Sequence, residues 1–397
     1  MTVENTALLQ RINCCGINGM RNLIRNVLGQ PTRRIEVAHG KVDFDFSGTK
    51  VLLDLPLQHP EILHCHNLHG NYFYLRKFSW IREHVFIIFN LQDAWLFLGH
   101  CARLFHYGRW KTGRGRYPDL SIYSRILRDV TSFKRQCKKE IYSRSRFFIA
   151  TLSQWVMDRV DHSILAPSII DKRIIPNGID RTIFRQGDIF ETWSELRLPA
   201  NAQIVLFATN GIRKNVYKNY RTMHSAIDIA TKNMQNSQLL FFALGENTPA
   251  EPIGAAVIHI MPHKRNISIV TRHFQAVDSS IHAAHAETFS NTVAEARGCE
   301  TPVITTAVGG IPEYLHDREM GFLTPPGDAL AMAAAIQRLL EDPDLKDKMG
   351  KSGIEDVRSW FSLEFQIDRS LRRYKDILDN YDYLYCTSMH KDHWRFV

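Results

Sequence analysis

The sequence lacks the features of membrane-spanning, secreted and low-complexity proteins. No apolar run reaches the roughly 18 residues that a membrane span requires, and the first residues lack the basic start and apolar core of a signal peptide. Seven cysteines are scattered, with only Cys14 and Cys15 adjacent, which predicts reduced thiols in the cytoplasm rather than a disulfide framework. A chain of 397 residues, 44% of them hydrophobic, is expected to form a globular cytoplasmic protein of two domains.

Positive charge is concentrated in the first half of the chain. Residues 1–178 carry 26 Lys and Arg against 14 Asp and Glu, a net charge of +12. Residues 179–397 carry 24 against 27, a net charge of −3. No nucleic-acid recognition motif accompanies the basic half, so we expect no nucleic-acid partner.

The densest basic stretch covers residues 125–148 and is expected to form an amphipathic helix, because apolar residues recur there at helical spacing. Those apolar residues are Ile126, Val130, Phe133 and Ile141. A basic helix of this kind can be a solvated surface, or it can lie on anionic lipid headgroups. The second possibility assigns the lipid contact to Lys134, Arg135, Lys138 and Lys139.

Short apolar runs alternate with helix-like segments along the chain. Continuous apolar runs of this length are typical of parallel strands buried on both faces. Their alternation with helices predicts doubly wound α/β layers. The runs cover residues 61–65, 84–90, 146–152, 203–209, 238–245, 256–261 and 301–308.

The turn-rich segment IIPNGIDRTIF, residues 174–184, separates the two sets of runs, and the net charge changes sign at the same place. We therefore predict an N-terminal domain of residues 1–178, a C-terminal domain of residues 179–360, and a helix with a tail at residues 361–397. Ligands of such two-domain α/β proteins usually bind in the cleft between the domains.

Two glutamates, Glu287 and Glu295, stand eight positions apart in the stretch HAETFSNTVAEARGCE. The apolar segment before them predicts a strand, ETFSN predicts a turn, and TVAEARG predicts a helix that Ser290 or Asn291 can cap. The free N–H groups and positive dipole of that helix can bind a phosphate or a hydroxyl group. Two carboxylates beside them suit the neutral hydroxyls of a sugar and a ribose.

Small residues and a second turn follow the two glutamates. Gly298 allows close packing of the predicted helix, and Pro312 in GGIPE suits the first helical position after the next strand. Two acids on an ordinary surface helix are the alternative interpretation. The repeated strand–turn–helix pattern favours a binding site.

Six stretches in the same order resemble family 4 glycosyltransferases, which have the GT-B fold, and are similar to the exopolysaccharide and colanic-acid type of bacteria. The resemblance runs from about residue 43 to about residue 340, and its donor-site signature is the stretch that contains both glutamates. It implies two Rossmann-like domains that face a cleft, with a last helix that crosses back to the N-terminal domain. The other five stretches are residues 65–76, 92–101, 108–120, 174–184 and 210–227.

The resemblance implies that the C-terminal domain binds a nucleotide-sugar. Glu287 matches the glutamate that contacts the hexose, and Glu295 matches the one that holds the ribose. Lys218 matches the lysine that neutralises the diphosphate, with Arg213 or else Lys214 as its partner. Cations at this place stabilise the negative charge that a departing nucleoside diphosphate gains. Further contacts with the nucleotide-sugar are expected from Gly211, Phe289, Ser290 and Asn291.

The acceptor side of the resemblance departs from the family in three ways. The opening strand and its glycine-rich loop have only a weak counterpart at residues 8–22. The family's His-Asp pair is Gln92-Asp93 here, and an amide can form hydrogen bonds but cannot relay a proton. Of four cysteines usual in this branch, Cys101 alone is present. The acceptor-side residues implied by the resemblance are Asn67, His69, Gln92, Asp93 and His100.

The resemblance implies a retaining hexosyltransferase that needs neither a metal nor a cofactor, because the nucleotide-sugar is its substrate. The implied acceptor is lipid-linked or a growing surface polysaccharide at the inner face of the cytoplasmic membrane. One alternative is a degenerate transferase that binds the nucleotide-sugar but acts only as a partner subunit, which the acceptor-side departures favour. Another is a GT-B relative with other sugar-nucleotide chemistry, such as epimerisation.

Overall fold

The computed structural model of the protein describes residues 44, 46–69, 72–102, 120, 126, 128–199, 202–234, 239–254 and 256–381. The chain divides into two compact units, the first unit (Met1–Ile175 with Ser370–Val397) and the second unit (Pro176–Arg369). Three stretches interpreted above lie outside the described residues: those before residue 44, most of the motif at 108–120, and the tail after residue 381.

The first unit contains a four-stranded parallel sheet with the strand order β1-β2-β3-β4. Three of its strands lie where apolar runs predicted them. No strand was predicted at the position of β4. The strands are β1 (Ile62–His66), β2 (Phe86–Leu91), β3 (Phe147–Thr151) and β4 (Ile169–Ile174). The helices are α1 (Phe78–Ile81), α2 (Thr131–Ser143) and α3 (Gln154–Asp161), with 3-10 turns at Ser47–Asp54, Leu75–Lys77 and Ala166–Ser168.

Phenylalanines fill both faces of this sheet, because neighbouring residues of a strand point to opposite sides. On one face, the rings of Phe89 and Phe147 meet edge to face with centroids 4.9 Å apart, and Phe78 of α1 contacts both. On the other face, Phe148 packs in a cluster with Tyr374. The sheet is therefore covered on both sides, as the continuous apolar runs predicted.

Helix α2 confirms the helix predicted in the basic stretch, although its buried face carries lysines. Its buried side chains are Lys134, Cys137, Lys138 and Tyr142, whereas Phe133 is 43% exposed. The predicted lipid contact through Lys134 and Lys138 is therefore wrong. Ile141 packs against the core as the apolar spacing indicated, and the lysines share this buried face because a lysine can be buried where its ammonium group finds acceptors.

The second unit contains a seven-stranded sheet with the order β11-β10-β9-β5-β6-β8-β7. All neighbours are parallel except β7 and β8. The strands are β5 (Gln203–Ala208), β6 (Leu239–Leu244), β7 (Glu251–Ile253), β8 (Ala256–Met261), β9 (Ser279–His282), β10 (Val303–Thr306) and β11 (Gly321–Thr324). The short edge strands β7 and β11 were not predicted.

Helices of the second unit follow its strands in the alternating pattern that the sequence predicted. They are α4 (Ile189–Leu196), α5 (Tyr220–Asn233), α6 (Ile267–Gln275), α7 (Asn291–Gly298), α8 (Ala329–Glu341) and α9 (Pro343–Trp360), with 3-10 turns at Val216–Lys218 and Ile311–Glu313. A Cβ atom at Gly298 would lie 3.2 Å from Phe184, which confirms the close packing expected at this glycine. The second turn begins at Ile311, so Pro312 is its second residue and not its first as predicted.

The last described helix, α10 (Leu363–Asn380), has its first residues in the second unit and the residues from Ser370 onward in the first unit. Within the first unit, Oη of Tyr374 lies 2.5 Å from Nδ1 of His64. Arg373 forms an ion pair with Asp171 of β4. Across the residues that the structure describes, no helix is both long and apolar enough to cross a membrane.

Candidate active site

Helix α7 begins at the carboxyl end of β9, after a turn that contains Glu287. Ser290 has an extended backbone, and its Oγ accepts a hydrogen bond from the Val293 N–H at 3.5 Å. Of the two predicted capping residues, Ser290 is therefore the cap. Asn291 is the first helical residue, and its Oδ1 accepts a hydrogen bond from Nδ2 of Asn177 at 2.9 Å.

Lys218 and Glu287 form a buried ion pair at this place. Nζ of Lys218 lies 2.6 Å from Oε2 of Glu287, and their side chains are only 12% and 4% exposed. Lys218 ends the 3-10 turn that precedes α5, where Asn219 takes a left-handed backbone and caps that helix. The attraction between charges at this distance and with so little solvent exposure is much stronger than in water.

His282 joins the pair, although the sequence analysis did not select it. Its Nε2 lies 3.0 Å from Nζ of Lys218 and 3.1 Å from Oγ of Ser290, and its Nδ1 lies 3.2 Å from Oγ1 of Thr305. The side chain is 2% exposed. The available signal was a histidine as the last residue of the strand SSIH, at the end of the sheet where ligands of parallel sheets bind.

The segment after β10 contacts both Glu287 and Ser290. Tyr314 Oη accepts a hydrogen bond from the Ser290 N–H at 2.9 Å, and burial raises the pKa of Tyr314. The rings of Phe289 and Tyr314 lie 4.5 Å apart. Gly309 has φ +61°, and a Cβ atom there would overlap the carbonyl oxygen of Glu287. Only glycine suits this position, because it needs both a left-handed backbone and a close approach.

Glu295 lies within α7, and burial raises the pKa of its carboxyl to about 7, while Lys218 opposes that shift. The interaction with Lys218 indicates that Glu295 belongs to the same electrostatic group as Glu287. A carboxyl with this pKa can hold or release its proton near neutral pH. The eight-residue spacing of the two glutamates is thus produced by a turn followed by one turn of helix.

Arg213 belongs to a different group from Lys218. Its N–H donates to Oε2 of Glu246 at 2.9 Å, and its guanidinium donates to Oγ1 of Thr248 at 3.0 Å and lies 3.6 Å from Glu251. Gly211, with φ +72°, forms the turn before it. The exposed Lys214 lies in the same loop. The structure thus brings together Lys218, Glu287, Ser290 and Glu295, and it places Arg213 with three polar residues of the segment between β6 and β8.

In the first unit, His69 and Asp93 come together at the carboxyl ends of β1 and β2. Nε2 of His69 lies 2.8 Å from Oδ2 of Asp93, and the side chains are 8% and 17% exposed. Oδ1 of Asp93 accepts a hydrogen bond from the Trp95 N–H at 2.9 Å. The carbonyl oxygen of Asn67 accepts a hydrogen bond from Tyr72 at 2.7 Å. Gln92, beside Asp93, is half-buried.

His100 lies with the buried lysines of α2 rather than in an exposed site. Nζ of Lys134 donates to Nδ1 of His100 at 3.1 Å. Burial first, and then Lys134, Lys138 and His69, lower the pKa of His100 to about 2. Lys138 donates to the carbonyl oxygens of Trp95 and Leu98 at 2.5 and 2.8 Å, and its Nζ lies 3.5 Å from the Trp95 ring centroid.

The family comparison matches a segment of the second unit. Residues 199–356 match the family model described as glycosyl transferases group 1. The chain is 26% identical over 215 residues to a D-inositol 3-phosphate glycosyltransferase of Thermobifida fusca (strain YX), covering 51% of this chain and 49% of that one. It is 38% identical over 78 residues, 20% of each chain, to the capsular polysaccharide biosynthesis glycosyltransferase CapM of Staphylococcus aureus. The chain spans about half the length of the first curated relatives.

A solved structure of Anabaena Alr3699/HepE in complex with UDP-glucose matches 80% of this chain and 79% of its own, with a TM-score of 0.56 and 15% identity. Sucrose-phosphate synthase of Thermosynechococcus elongatus matches 81% of this chain and 75% of its own, with a TM-score of 0.57 and 19% identity. The fold is GT-B. The connected side chains of Lys218, His282, Glu287 and Ser290, here called the Lys218 group, lie in the second unit, which also contains the matched residues 199–356.

Proposed function

We propose that the protein is a retaining glycosyltransferase that moves a hexose from a nucleotide-sugar to a lipid-linked or polysaccharide acceptor. The buried Lys218–Glu287 pair beside the beginning of α7 carries this proposal. The group 1 match over residues 199–356 supports transfer from a nucleotide-sugar. The UDP-glucose bound to the HepE neighbour supports a ligand of the same class.

The Lys218 group combines the two features that recognise a diphosphate. One is a cation that is desolvated before the ligand arrives, and the other is the positive end of a helix. Glu287 neutralises Lys218 at a distance of 2.6 Å. A diphosphate can take over Lys218, and this exchange releases the Glu287 carboxylate to accept a hydrogen bond from a hexose hydroxyl.

The proposed chemistry needs positioned charges rather than a protein nucleophile. As the bond between the sugar and the diphosphate breaks, negative charge grows on the phosphate oxygens, and Lys218 stabilises it. The acceptor hydroxyl attacks from the same face of the sugar, and its proton passes to the departing phosphate. Retention of the anomeric configuration follows from attack on that face. We propose no metal ion in this step.

Glu295 is the proposed ligand of the ribose. Its carboxyl is partly shielded, and burial raises its pKa to about 7. In the ionised form it accepts hydrogen bonds from both hydroxyls of a ribose, and such charge-assisted bonds contribute about 1.5–3 kcal/mol. In this role Glu295 does not recognise the base, so other residues of the second unit must do so.

The His69–Asp93 pair supports an acceptor site in the first unit. Asp93 accepts the Nε2 proton of His69, so the pair is a polar group at the carboxyl edge of a parallel sheet. The family's histidine and aspartate are adjacent in sequence. Here Asp93 pairs instead with His69, which follows a different strand. The net charge of +12 over residues 1–178 favours an anionic acceptor, such as a lipid-linked sugar at a membrane surface.

Gln92 favours a second candidate function, that of an inactive subunit that binds a nucleotide-sugar. Its amide cannot relay a proton as an imidazole can. In this case the second unit binds the nucleotide-sugar and no sugar is transferred. A direct assay separates this candidate from the first.

The test uses the full chain with a panel of UDP-, GDP-, ADP- and dTDP-sugars and isolated lipid-linked acceptors. We expect transfer from one sugar class, with the product retaining the anomeric configuration in its NMR spectrum. Lys218→Ala should lower the transfer rate about a hundredfold or more, whereas Lys232→Ala, an exposed lysine of the same unit, should leave it unchanged. Binding without transfer to any acceptor would favour the inactive subunit, and absence of binding would reject both candidates.

A further inference from the structure

We infer that His282 is a positioning residue, which fixes Lys218 and the beginning of α7 in the arrangement that receives a diphosphate. The inference rests on the proposed function of the second unit. It concerns a residue that has no implied role in the family resemblance. Three contacts within hydrogen-bond distance, all through one ring, carry it.

The contacts determine which ring nitrogen carries the proton. A lysine ammonium group can only donate hydrogen bonds, so Nε2 of His282 must accept from Nζ of Lys218 at 3.0 Å. The ring proton is then on Nδ1, which donates to Oγ1 of Thr305 at 3.2 Å. Thr305 of β10 is the neighbour of His282 in the parallel pairing with β9. The strand register therefore selects the neutral Nδ1–H tautomer.

The same ring connects the cation with the helix. Oγ of Ser290 lies 3.1 Å from Nε2 of His282 and accepts the hydrogen bond that caps α7. Lys218 precedes α5, whereas Ser290 precedes α7, so the two phosphate-binding features come from segments about 70 residues apart. His282 contacts both, and its side chain is 2% exposed. A ring this buried has little freedom, so it holds both groups in one geometry.

A neutral ring leaves the cation available for a phosphate. Two charged groups that face His282 are Lys218 and Glu287, and Oε2 of Glu287 lies 3.7 Å from Nε2 of His282. Without the imidazole acceptor, Lys218 would depend more strongly on Glu287, and a diphosphate would compete less well for it. Loss of His282 should therefore weaken binding of the second phosphate group more than binding of the rest of the nucleotide.

The experiment compares two amide substitutions that differ in length by one methylene group. His282→Gln places an amide oxygen near the position of Nε2 and can still accept from Lys218. His282→Asn places its amide near the position of Nδ1 and keeps only the contact with Thr305. The measured quantity is the dissociation constant of a nucleoside monophosphate divided by that of the matching diphosphate. The base is the one that the unaltered protein binds best.

We expect His282→Gln to keep this ratio within about threefold and His282→Asn to lower it about tenfold, which corresponds to about 1.4 kcal/mol. Thr305→Val removes the acceptor of the Nδ1 proton and should lower the ratio by a smaller factor, which provides a milder variant if His282→Asn folds poorly. His263→Asn, an exposed histidine of the same unit, is the matched control and should change nothing.

Equal ratios in His282→Asn, Thr305→Val and the unaltered protein would overturn the inference and leave the proposed function standing. An equal loss of monophosphate and diphosphate binding in His282→Asn, with the ratio unchanged, would also overturn it, because a general packing defect acts in that way. If the unaltered protein binds no nucleoside diphosphate, the proposed function fails first.

Discussion

Both units bury lysines near the carboxyl edge of a parallel sheet, but they satisfy them differently. In the second unit, Lys218 contacts the side chains of Glu287 and His282. In the first unit, Lys138 donates to two main-chain carbonyl oxygens and lies over the Trp95 ring. A ligand can replace a side-chain partner at small cost, whereas main-chain carbonyls stay where the fold puts them.

The difference separates the cation that we propose to bind a ligand from one that only stabilises the fold. Lys218 is partnered by a carboxylate that balances its charge, and in the proposed function an anion would compete with that carboxylate. Lys138 holds the segment that follows Asp93, since it ties the carbonyl oxygens of Trp95 and Leu98 to α2. A buried polar group left unpaired is costly. We therefore expect loss of Lys138 to affect stability and loss of Lys218 to affect ligand binding.

The largest effect is expected from Lys138→Ala. The substitution leaves two buried carbonyl oxygens without their ammonium donor and removes the contact with the Trp95 ring, so we expect the free energy of unfolding to fall by about 4 kcal/mol. Urea denaturation followed by tryptophan fluorescence measures it. Lys139→Ala changes the exposed neighbour on the same helix and should cost less than about 0.5 kcal/mol. Equal stability of the two variants would remove the proposed contrast between the units.

The next effect is expected from Gly309→Ala. The added Cβ atom would overlap the carbonyl oxygen of Glu287 and requires a strained left-handed backbone, so Glu287 must move away from Lys218. We expect nucleoside diphosphate affinity to fall about thirtyfold, measured by calorimetry. Gly327→Ala has the same backbone strain, with φ +80°, but nothing within 4 Å of the new atom. If both variants bind equally well, the close packing against Glu287 is not important for binding.

A pH effect is expected from Glu295. Burial raises the pKa of Glu295 from 4.5 to about 7, so the folded chain binds this proton more tightly than the unfolded chain does. Its contribution to stability is complete below about pH 4.5 and is lost as the pH rises through about 7. Between pH 5 and pH 8, the unfolding free energy of the unaltered protein should fall relative to Glu295→Gln by about 2 kcal/mol.

The control for this pH effect is Glu355→Gln, which replaces a carboxylate whose side chain is 69% exposed. It should show the same pH dependence as the unaltered protein. If Glu295→Gln also follows the unaltered protein across this range, Glu295 titrates as an ordinary surface acid. The proposed ribose contact would then lose the partly shielded setting on which it depends.

The smallest effect is expected at a membrane surface. Because Lys134 and Lys138 are buried, only exposed cations of this region, such as Lys139 and Arg144, can contact lipid. Reversing both to Glu should weaken binding to anionic vesicles about fivefold at low salt, since each cation contributes about 1 kcal/mol or less. Co-sedimentation measures it. The matched control reverses Arg318 and Lys351, two exposed cations of the second unit. Equal losses in both variants would indicate only a net-charge effect.

Local sequence patterns predicted the strands because their cause is local. Continuous apolar runs produced β2, β3, β5 and β6, since a strand covered on both faces has no polar positions. The cap at Ser290 and the turn at Pro312 follow from side-chain chemistry of single residues. The edge strands β7 and β11 were missed because three or four residues give too short a pattern.

The tertiary structure alone decided which polar side chains meet. The sequence indicated Glu287 and Lys218 through a resemblance, but His282 entered the group because the pairing of β9 with β10 places Thr305 beside it. In the same way, the acceptors offered by Trp95, Leu98 and His100 allow two lysines of α2 to be buried, which the spacing of apolar residues did not indicate. By itself the sequence determined most of the strands and helices. Residues far apart in the chain determine which charged side chains are buried and which are paired. Local periodicity cannot predict this, because it carries no information about such long-range contacts.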